Sequence, residues 1–290
     1  MSQSPASRLR ALLAEPRIHM MPCCFDGLSA KLVGDAGFDI TFMSGFSTAA
    51  ARIGAPDTGL ISYGEMLDSA RDVAAATPIP VIGDGDTGYG NALNVKRTVK
   101  GYAQAGMAAI MIEDQVAPKR CGHTKGKLVV DRSEAVERIH AAVDARKEGA
   151  DILILARTDA RHTHGLDEAI ERAAAFKEAG ADILFVEAPK SREEMERICK
   201  DVPGCHMANL LEGGETPMLS PAELQEIGFS IVAYPLTLLS VATRAMVEAL
   251  ADLKAGRHPD GKLLSFPELR RHVGFDAYYE EEARYSDTRD

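Results

Sequence analysis

The word ADIL occurs at Ala150–Leu153, within ADILILARTDA (150–160), and again at Ala181–Leu184, within ADILFVEAP (181–189), a separation of 31 residues. Each copy opens a short apolar run. Between the runs Leu166, Ile170, Ala173 and Ala174 recur at helical spacing, and Gly180 supplies a stop just before the second copy. A strand and a helix in one period is a βα unit, and a repeated βα unit predicts a parallel sheet with helices packed on it.

Working outward, the same signature recurs along the chain. Apolar runs lie at Asp39–Met43, Pro80–Gly83, Ala108–Ile112, Asp151–Leu155, Asp182–Val186, Cys205–Leu210 and Ser230–Tyr234, with an N-terminal one near Ile18–Pro22. Runs apolar on successive residues suit strands covered on both faces, as parallel strands are. Asp131 and Glu134 are spaced for a capping box ahead of a helix carrying Val136, Ile139, Ala142 and Val143, which should end at Glu148-Gly149. Eight units in about 250 residues predict an α/β fold of the (β/α)8 TIM type rather than an open sheet, for which no GxGxxG opening is present. The chain is expected to be one barrel domain over 1–290. Its segment from about 256 to 290 is a helical extension beyond the barrel's needs, suited to covering a neighbouring subunit.

Composition narrows the function. The 290 residues are 46% hydrophobic and carry a formal net charge of −10, which speaks against a nucleic-acid binder and for a small-molecule partner. No apolar run reaches membrane-spanning length and the N-terminus lacks a secretory pattern, so a cytoplasmic enzyme is expected. Five cysteines without framework spacing fit free thiols.

Barrel chemistry sits where strands end. The residues there are Ser44, Gly45 and Phe46, then Asp57; Asp84 and Asp86 in DGDTGYG (84–90); Glu113; Arg157; Glu187; and Asn209. Asp57, Asp84, Asp86 and Glu113 would repel one another in an empty cavity, and a hard divalent cation relieves that, so they are the expected ligands of Mg²⁺ or Mn²⁺. The loop PKRCGHTKGK (118–127) surrounds Cys121 with cationic side chains, with His123 and with Gly122 and Gly126. Positive charge favours ionisation of a thiol, which marks Cys121 for chemistry.

These motifs together resemble the isocitrate lyase/phosphoenolpyruvate mutase superfamily over nearly the whole chain: SGF, DGDTGYG, EDQ, KRCGH, ARTDA and the Glu187/Asn209 pair. KRCGH is similar to its carbon–carbon lyase branch. Thr124–Lys127 after that motif, and NLLEGG (209–214), are more similar to 2,3-dimethylmalate lyases and the petal death protein than to methylisocitrate lyases. Phe42 stands where the latter have tyrosine. The resemblance implies Mg²⁺, a gating loop carrying the cysteine, and a homotetramer that exchanges its C-terminal helices.

It further implies retro-aldol (Claisen-type) cleavage of a 2-hydroxy dicarboxylate such as 2,3-dimethylmalate into a 2-oxo acid and a carboxylic acid. In that reading Cys121 is the general acid, with Arg120, Gly122 and His123 beside it. Arg157 pairs with a substrate carboxylate, since a guanidinium binds it bidentately. The backbone of Ser44, Gly45 and Phe46, with Asn209, holds the same end, Glu187 orders Arg157 or the loop, and Asp86 contacts the metal directly, with Asp57, Asp84 and Glu113 acting largely through bound water. Thr237 is the residue to inspect for oxaloacetate hydrolysis. The alternatives are 2-methylisocitrate cleavage, oxaloacetate hydrolysis or decarboxylation, and a barrel that binds without catalysis; the substrate is a di- or tricarboxylate, not a nucleic acid or a membrane.

Overall fold

The computed structural model describes residues 3–120 and 126–286. Eight strands follow in order: β1 His19–Cys24, β2 Thr41–Met43, β3 Val81–Asp84, β4 Ala109–Glu113, β5 Leu153–Thr158, β6 Ile183–Val186, β7 Met207–Asn209 and β8 Ile231–Tyr234. All pair in parallel in the order β6-β5-β4-β3-β2-β1-β8-β7. A bridge between Leu184 and His206, with the Leu184 N–H donating to Cys205 O at 2.9 Å, brings β6 back to the β7 side. With helices around the outside, the chain is a (β/α)8 barrel. Each strand expected from an apolar run is present, and the two ADIL words lead into β5 and β6.

Alternation along the strands explains both the core and the site. Met21, Cys23, Phe42, Ile82, Ala109, Met111, Leu153, Leu155, Ile183, Phe185, Met207, Ile231 and Ala233 share one buried cluster, the barrel interior. Met43, Val81, Ile110, Ile112, Ile154, Ala156, Leu184 and Val186 share another, with residues of the surrounding helices. Successive strand side chains point to opposite faces. Two residues past the last inward apolar side chain, the row continues with Ser44, Asp84, Glu113, Arg157, Glu187, Asn209 and Pro235. The fold therefore delivers polar groups to one end of the interior by parity alone.

One local expectation is corrected, and one helix went unread. Asp131 precedes the helix Arg132–Lys147 but makes no side-chain cap bond. Glu134 instead accepts from Arg138 Nη2 at 2.7 Å, because Arg138 is buried and spends Nη1 on the carbonyls of Glu113 (3.1 Å) and Gln115 (2.8 Å), bracing the end of β4. The SGF segment is not a plain loop: Ser44 is the N-cap of a helix, Gly45–Ile53, its hydroxyl accepting from Ser47 N.

The chain divides into two compact units, Met1–Leu239 and Ser240–Asp290. Within the second, Asp252 pairs with Arg257 (2.8 Å) and Lys262 (2.7 Å), and the Arg270 guanidinium lies over the rings of Phe266, Phe275 and Tyr279. Among the described residues no helix is long and apolar enough to cross a membrane.

Candidate active site

The polar row opens into a cavity of about 600 Å³, mouth included, in the barrel unit. Its polar lining is Ser44, Asp57, Asp84, Glu113, Lys119, Arg120, Arg157, Glu187 and Asn209, and its apolar lining includes Phe46, Leu211, Pro235 and Leu236 above Phe42, Met111, Phe185 and Met207. Nine of the residues expected at the site thus line one cavity: Ser44, Phe46, Asp57, Asp84, Glu113, Arg120, Arg157, Glu187 and Asn209. Asp86 joins them through Lys119, and Gly45 through Asp84. Cys121, Gly122 and His123 lie outside the described residues.

Asp84, the last residue of β3, accepts from Gly45 N (3.1 Å) through one oxygen and from Asp86 N (2.9 Å) through the other. Asp86 sits at φ 48°, a left-handed conformation that aspartate tolerates in a tight turn. Lys119 Nζ lies 2.6 Å from Asp57 and 2.9 Å from Asp86, all three groups being buried. Burial would lower the lysine's pKa, but Asp86, Asp84, Asp57 and Glu113 outweigh it and hold the ammonium well above its usual range. Burial pushes the Asp86 carboxyl up to about 6 against the pull of Lys119, with Asp84 and Asp57 adding to the rise. Glu113 is raised well above the carboxylate range, again chiefly by burial, and Arg157 and Lys119 only partly oppose this.

Arg157 is held side-on by Asp159, Nε to Oδ2 at 2.8 Å and Nη2 to Oδ1 at 3.0 Å. Nη2 also lies 3.1 Å from Glu187 Oε2, and Nε lies 3.4 Å from Glu113 Oε2. The Phe185 ring sits below the guanidinium carbon at 5.2 Å. Nη1 is hydrogen-bonded to none of the described residues, and Arg157 lines the cavity, so it is the nitrogen a ligand there can use. Asn209 approaches Glu187 at 3.4 Å, which keeps the two on the same wall.

Three backbone N–H groups were expected to receive a carboxylate. Ser44 N is committed to Cys24 O and Gly45 N to Asp84, because the helix N-terminus is knit to β1 and β3; Phe46 N remains. Thr237 does not line the cavity: its hydroxyl donates to the Glu212 carboxylate. Several supporting residues were visible in the sequence but their partners were not. Gln115 pins Arg120 by two bonds to its backbone, 2.8 and 2.9 Å, and Lys119, Lys127 and Asp159 carry the buried charge pairs. Their signal was present as EDQ, ARTDA and the loop lysines, but nothing in a one-dimensional pattern says which cation meets which carboxylate.

The donor set fits a hard cation in its chemistry. Among the described residues Asp57, Asp84, Asp86, Glu113, Asp114, Asp159 and Glu187 are seven buried carboxylates against the five buried cations Lys119, Lys127, Arg138, Arg157 and Arg172. Glu113 Oε1 is buried without a hydrogen-bond donor among the described residues. An excess of anionic oxygen with an unsatisfied acceptor suits Mg²⁺ or Mn²⁺. In the geometry described, no three of these groups, nor any His or Cys with them, gather at ligating distance, and the cation between Asp57 and Asp86 is the Lys119 ammonium.

A parallel barrel whose strand ends carry this set of groups is a barrel enzyme of the phosphoenolpyruvate mutase/isocitrate lyase superfamily. The phosphoenolpyruvate phosphomutase family model matches residues 9–254, and the chain belongs to that family. Among its relatives is the 2,3-dimethylmalate lyase of Eubacterium barkeri, 44% identical, with 97% of this chain and 98% of that one covered. The chloroplastic carboxyvinyl-carboxyphosphonate phosphorylmutase of Arabidopsis thaliana is also 44% identical, over 98% of this chain and 85% of the other. Of solved structures, a 2,3-dimethylmalate lyase superposes with a TM-score of 0.94 at 40% identity, covering 99% and 97% of the two chains. An oxaloacetate acetylhydrolase in complex with 3,3-difluorooxalacetate gives 0.92 at 35%, covering 97% and 96%. A phosphonopyruvate hydrolase complexed with oxalate and Mg²⁺ gives 0.86 at 31%, covering 98% and 99%. The match to 2,3-dimethylmalate lyases, over nearly the whole of both chains, places it with the carbon–carbon lyases of the superfamily.

Proposed function

We propose that the protein is a Mg²⁺-dependent lyase, active with Mn²⁺ as well, that cleaves a 2-alkylmalate such as 2,3-dimethylmalate into pyruvate, or another 2-oxo acid, and a carboxylic acid. The observation that carries this reading is the cavity's three-part lining: an available nitrogen of Arg157, a cluster of anionic oxygens, and an apolar wall of Phe46, Leu211, Pro235 and Leu236. A carboxylate, a chelating hydroxyl and an alkyl substituent on adjacent carbons match those parts.

Asp57, Asp84, Asp86 and Glu113 would hold the metal, Asp86 most directly. A bound divalent ion lowers the pKa of a coordinated hydroxyl and polarises the carbonyl that forms from it. Arg157 orients the substrate carboxylate, with Phe46 N and Asn209 beside it, and Asp159 and Glu187 fix the guanidinium. As the C2–C3 bond breaks, the hydroxyl proton passes to an oxygen of the carboxylate cluster. The electron pair remains on the departing fragment as a carboxylate enolate, which Cys121 protonates, with Arg120 and His123 stabilising the charge. We extend the reading to a cytoplasmic homotetramer built through the segment from about 256 to 290.

The test is a panel of 2,3-dimethylmalate, 2-methylisocitrate, citramalate and oxaloacetate with Mg²⁺, coupling 2-oxo acid release to lactate dehydrogenase and measuring oxalate separately. The expected result is Mg²⁺-dependent 2-oxo acid from a 2-alkylmalate, lost in EDTA. Oxalate from oxaloacetate as the only product would overturn the lyase reading in favour of hydrolysis.

A further inference from the structure

Behind the cavity lies a polar chain that meets its lining through Arg157. Asp159 is fully buried, and its backbone N donates to Asp114 Oδ1 at 2.9 Å. The other oxygen of Asp114 accepts from Thr158 Oγ1 (2.6 Å) and from Arg172 Nη1 (3.0 Å), while Arg172 Nε donates to Glu168 at 2.7 Å. Lys127 Nζ closes on Asp159 Oδ1 at 3.0 Å. Asp114, Thr158, Asp159, Lys127 and Arg172 are each at most 3% exposed. None of them lines the cavity.

Such a network is a poor way to stabilise a fold. Desolvating ionic groups offsets most of their mutual attraction, and apolar side chains of the same volume often do as well. What this one does achieve is orientation. Asp159 grips the Nε/Nη2 edge of Arg157, a residue that lines the cavity, which leaves Nη1 as the nitrogen not engaged by the described residues. Asp159 can hold that edge only while its own backbone is fixed at the end of β5, and Asp114, tied to the helix Leu166–Ala179 through Arg172, is what fixes it. Loose support for a binding group weakens binding even when the group itself is intact.

We propose that Asp114 and Arg172 are positioning residues for substrate recognition, acting through Asp159 on the orientation of Arg157 without touching substrate. The inference rests on the assignment of Arg157 to a substrate carboxylate. It does not rest on the identity of the substrate or on the lyase chemistry.

The experiment is a double-mutant cycle read as oxalate affinity in the presence of Mg²⁺, by isothermal titration calorimetry on the full chain. Asp114→Asn keeps the side chain's volume and an acceptor for Asp159 N but removes the charge facing Arg172 and Thr158. Arg157→Lys keeps the cation but removes the fork. We expect each alone to weaken oxalate binding about 10-fold or more. We expect Asp114→Asn to weaken it less than twofold further in the Arg157→Lys background, because a relay with nothing to orient has no effect. A merely structural role would give losses that multiply, which would overturn the proposal, as would wild-type affinity in a folded Asp114→Asn protein. Should Asp114→Asn fail to fold by circular dichroism, Thr158→Val in the same cycle removes one donor to Asp114, and the same two outcomes decide. In turnover, loss of the relay should raise KM while leaving kcat within a few-fold. A wild-type protein that does not bind oxalate with Mg²⁺ would overturn the carboxylate assignment and the relay together. A cycle that holds in a protein inactive on every 2-alkylmalate would retain the relay and sink the lyase reading alone.

Discussion

Substituting Gly45 by alanine tests the geometry of the site without removing a single polar group. A Cβ built on Gly45 lies 2.4 Å from Asp84 Oδ2 and 3.0 Å from its Cγ, where ordinary contact begins at 3.4 Å, so the carboxylate must retreat by about 1 Å. The residue opens the helix Gly45–Ile53, where alanine is at least as favourable as glycine, so the damage falls on Asp84 rather than on the helix. Retreat strains the bonds Asp84 accepts from Gly45 N and Asp86 N; hydrogen bonds to a charged group contribute roughly 1.5–3 kcal/mol each. A displacement of 1 Å in a site of this kind costs on the order of 10²-fold in rate. The expected outcome is therefore a folded protein with kcat/KM on the proposed substrate down about 100-fold, and with a weaker Mg²⁺ requirement curve, measured as turnover against Mg²⁺ concentration. Gly64→Ala is the control. Its Cβ would meet only Ser62 Oγ, at 3.9 Å, on the outer helix Tyr63–Ala76, and it should match wild type. If Gly45→Ala turns over like Gly64→Ala with the same Mg²⁺ dependence, Asp84 is not part of the working site and the reading of the carboxylate cluster is wrong.

Cys121→Ser should lower kcat by about 10²–10⁴-fold with little change in KM, since serine is a far weaker acid than a thiol and Arg157 still holds the substrate; cleavage within a few-fold of wild type would remove the cysteine from acid catalysis. Asp159 predicts an acid limb. Burial alone would raise its carboxyl, but Arg157 and Lys127 hold it at about 2, below the unfolded value, so its contribution of roughly 2 kcal/mol is present above about pH 4 and lost as pH falls toward 2. Urea midpoints should accordingly fall more steeply between about pH 4 and 2 in wild type than in Asp159→Asn, and parallel curves would contradict the pairing. For the oligomer, Leu250 and Phe266 are 64% and 72% exposed on the second unit of a single chain. Leu250→Asp with Phe266→Asp should shift the mass measured by light scattering to a smaller assembly, and an unchanged mass would place the interface elsewhere.

What could be read from the sequence, and what could not, follows the range of the forces involved. Strands covered on both faces must be apolar on successive residues, so β4, β5 and β6 announced themselves. Once the barrel was recognised, the residues just past each run, Arg157 and Glu113 among them, could be named for the site; that parity turns them inward in line with Leu155 and Met111 shows only in the fold. The helix Gly45–Ile53 was missed because GFSTAAARI buries small residues, Ser47, Thr48 and Ala49, rather than an apolar stripe. Its presence changes the chemistry: two of the three N–H groups that a loop would have offered to a ligand are used to fasten the helix to Cys24 and Asp84. Charge pairing was the least legible. Asp131 and Glu134 have capping-box spacing, yet Glu134 turns to Arg138, because a buried guanidinium requires more partners than the two carbonyls it already holds. Lys119 shows the same rule at the centre of the site. Read from sequence it is a cation that favours a thiolate at Cys121, but the fold places its ammonium between Asp57 and Asp86, where removing a charge from water is tolerable only against opposite charge. A lysine and the expected metal thus answer to the same cluster of carboxylates, and the excess of buried acids over buried bases among the described residues, seven to five, is what leaves room for both.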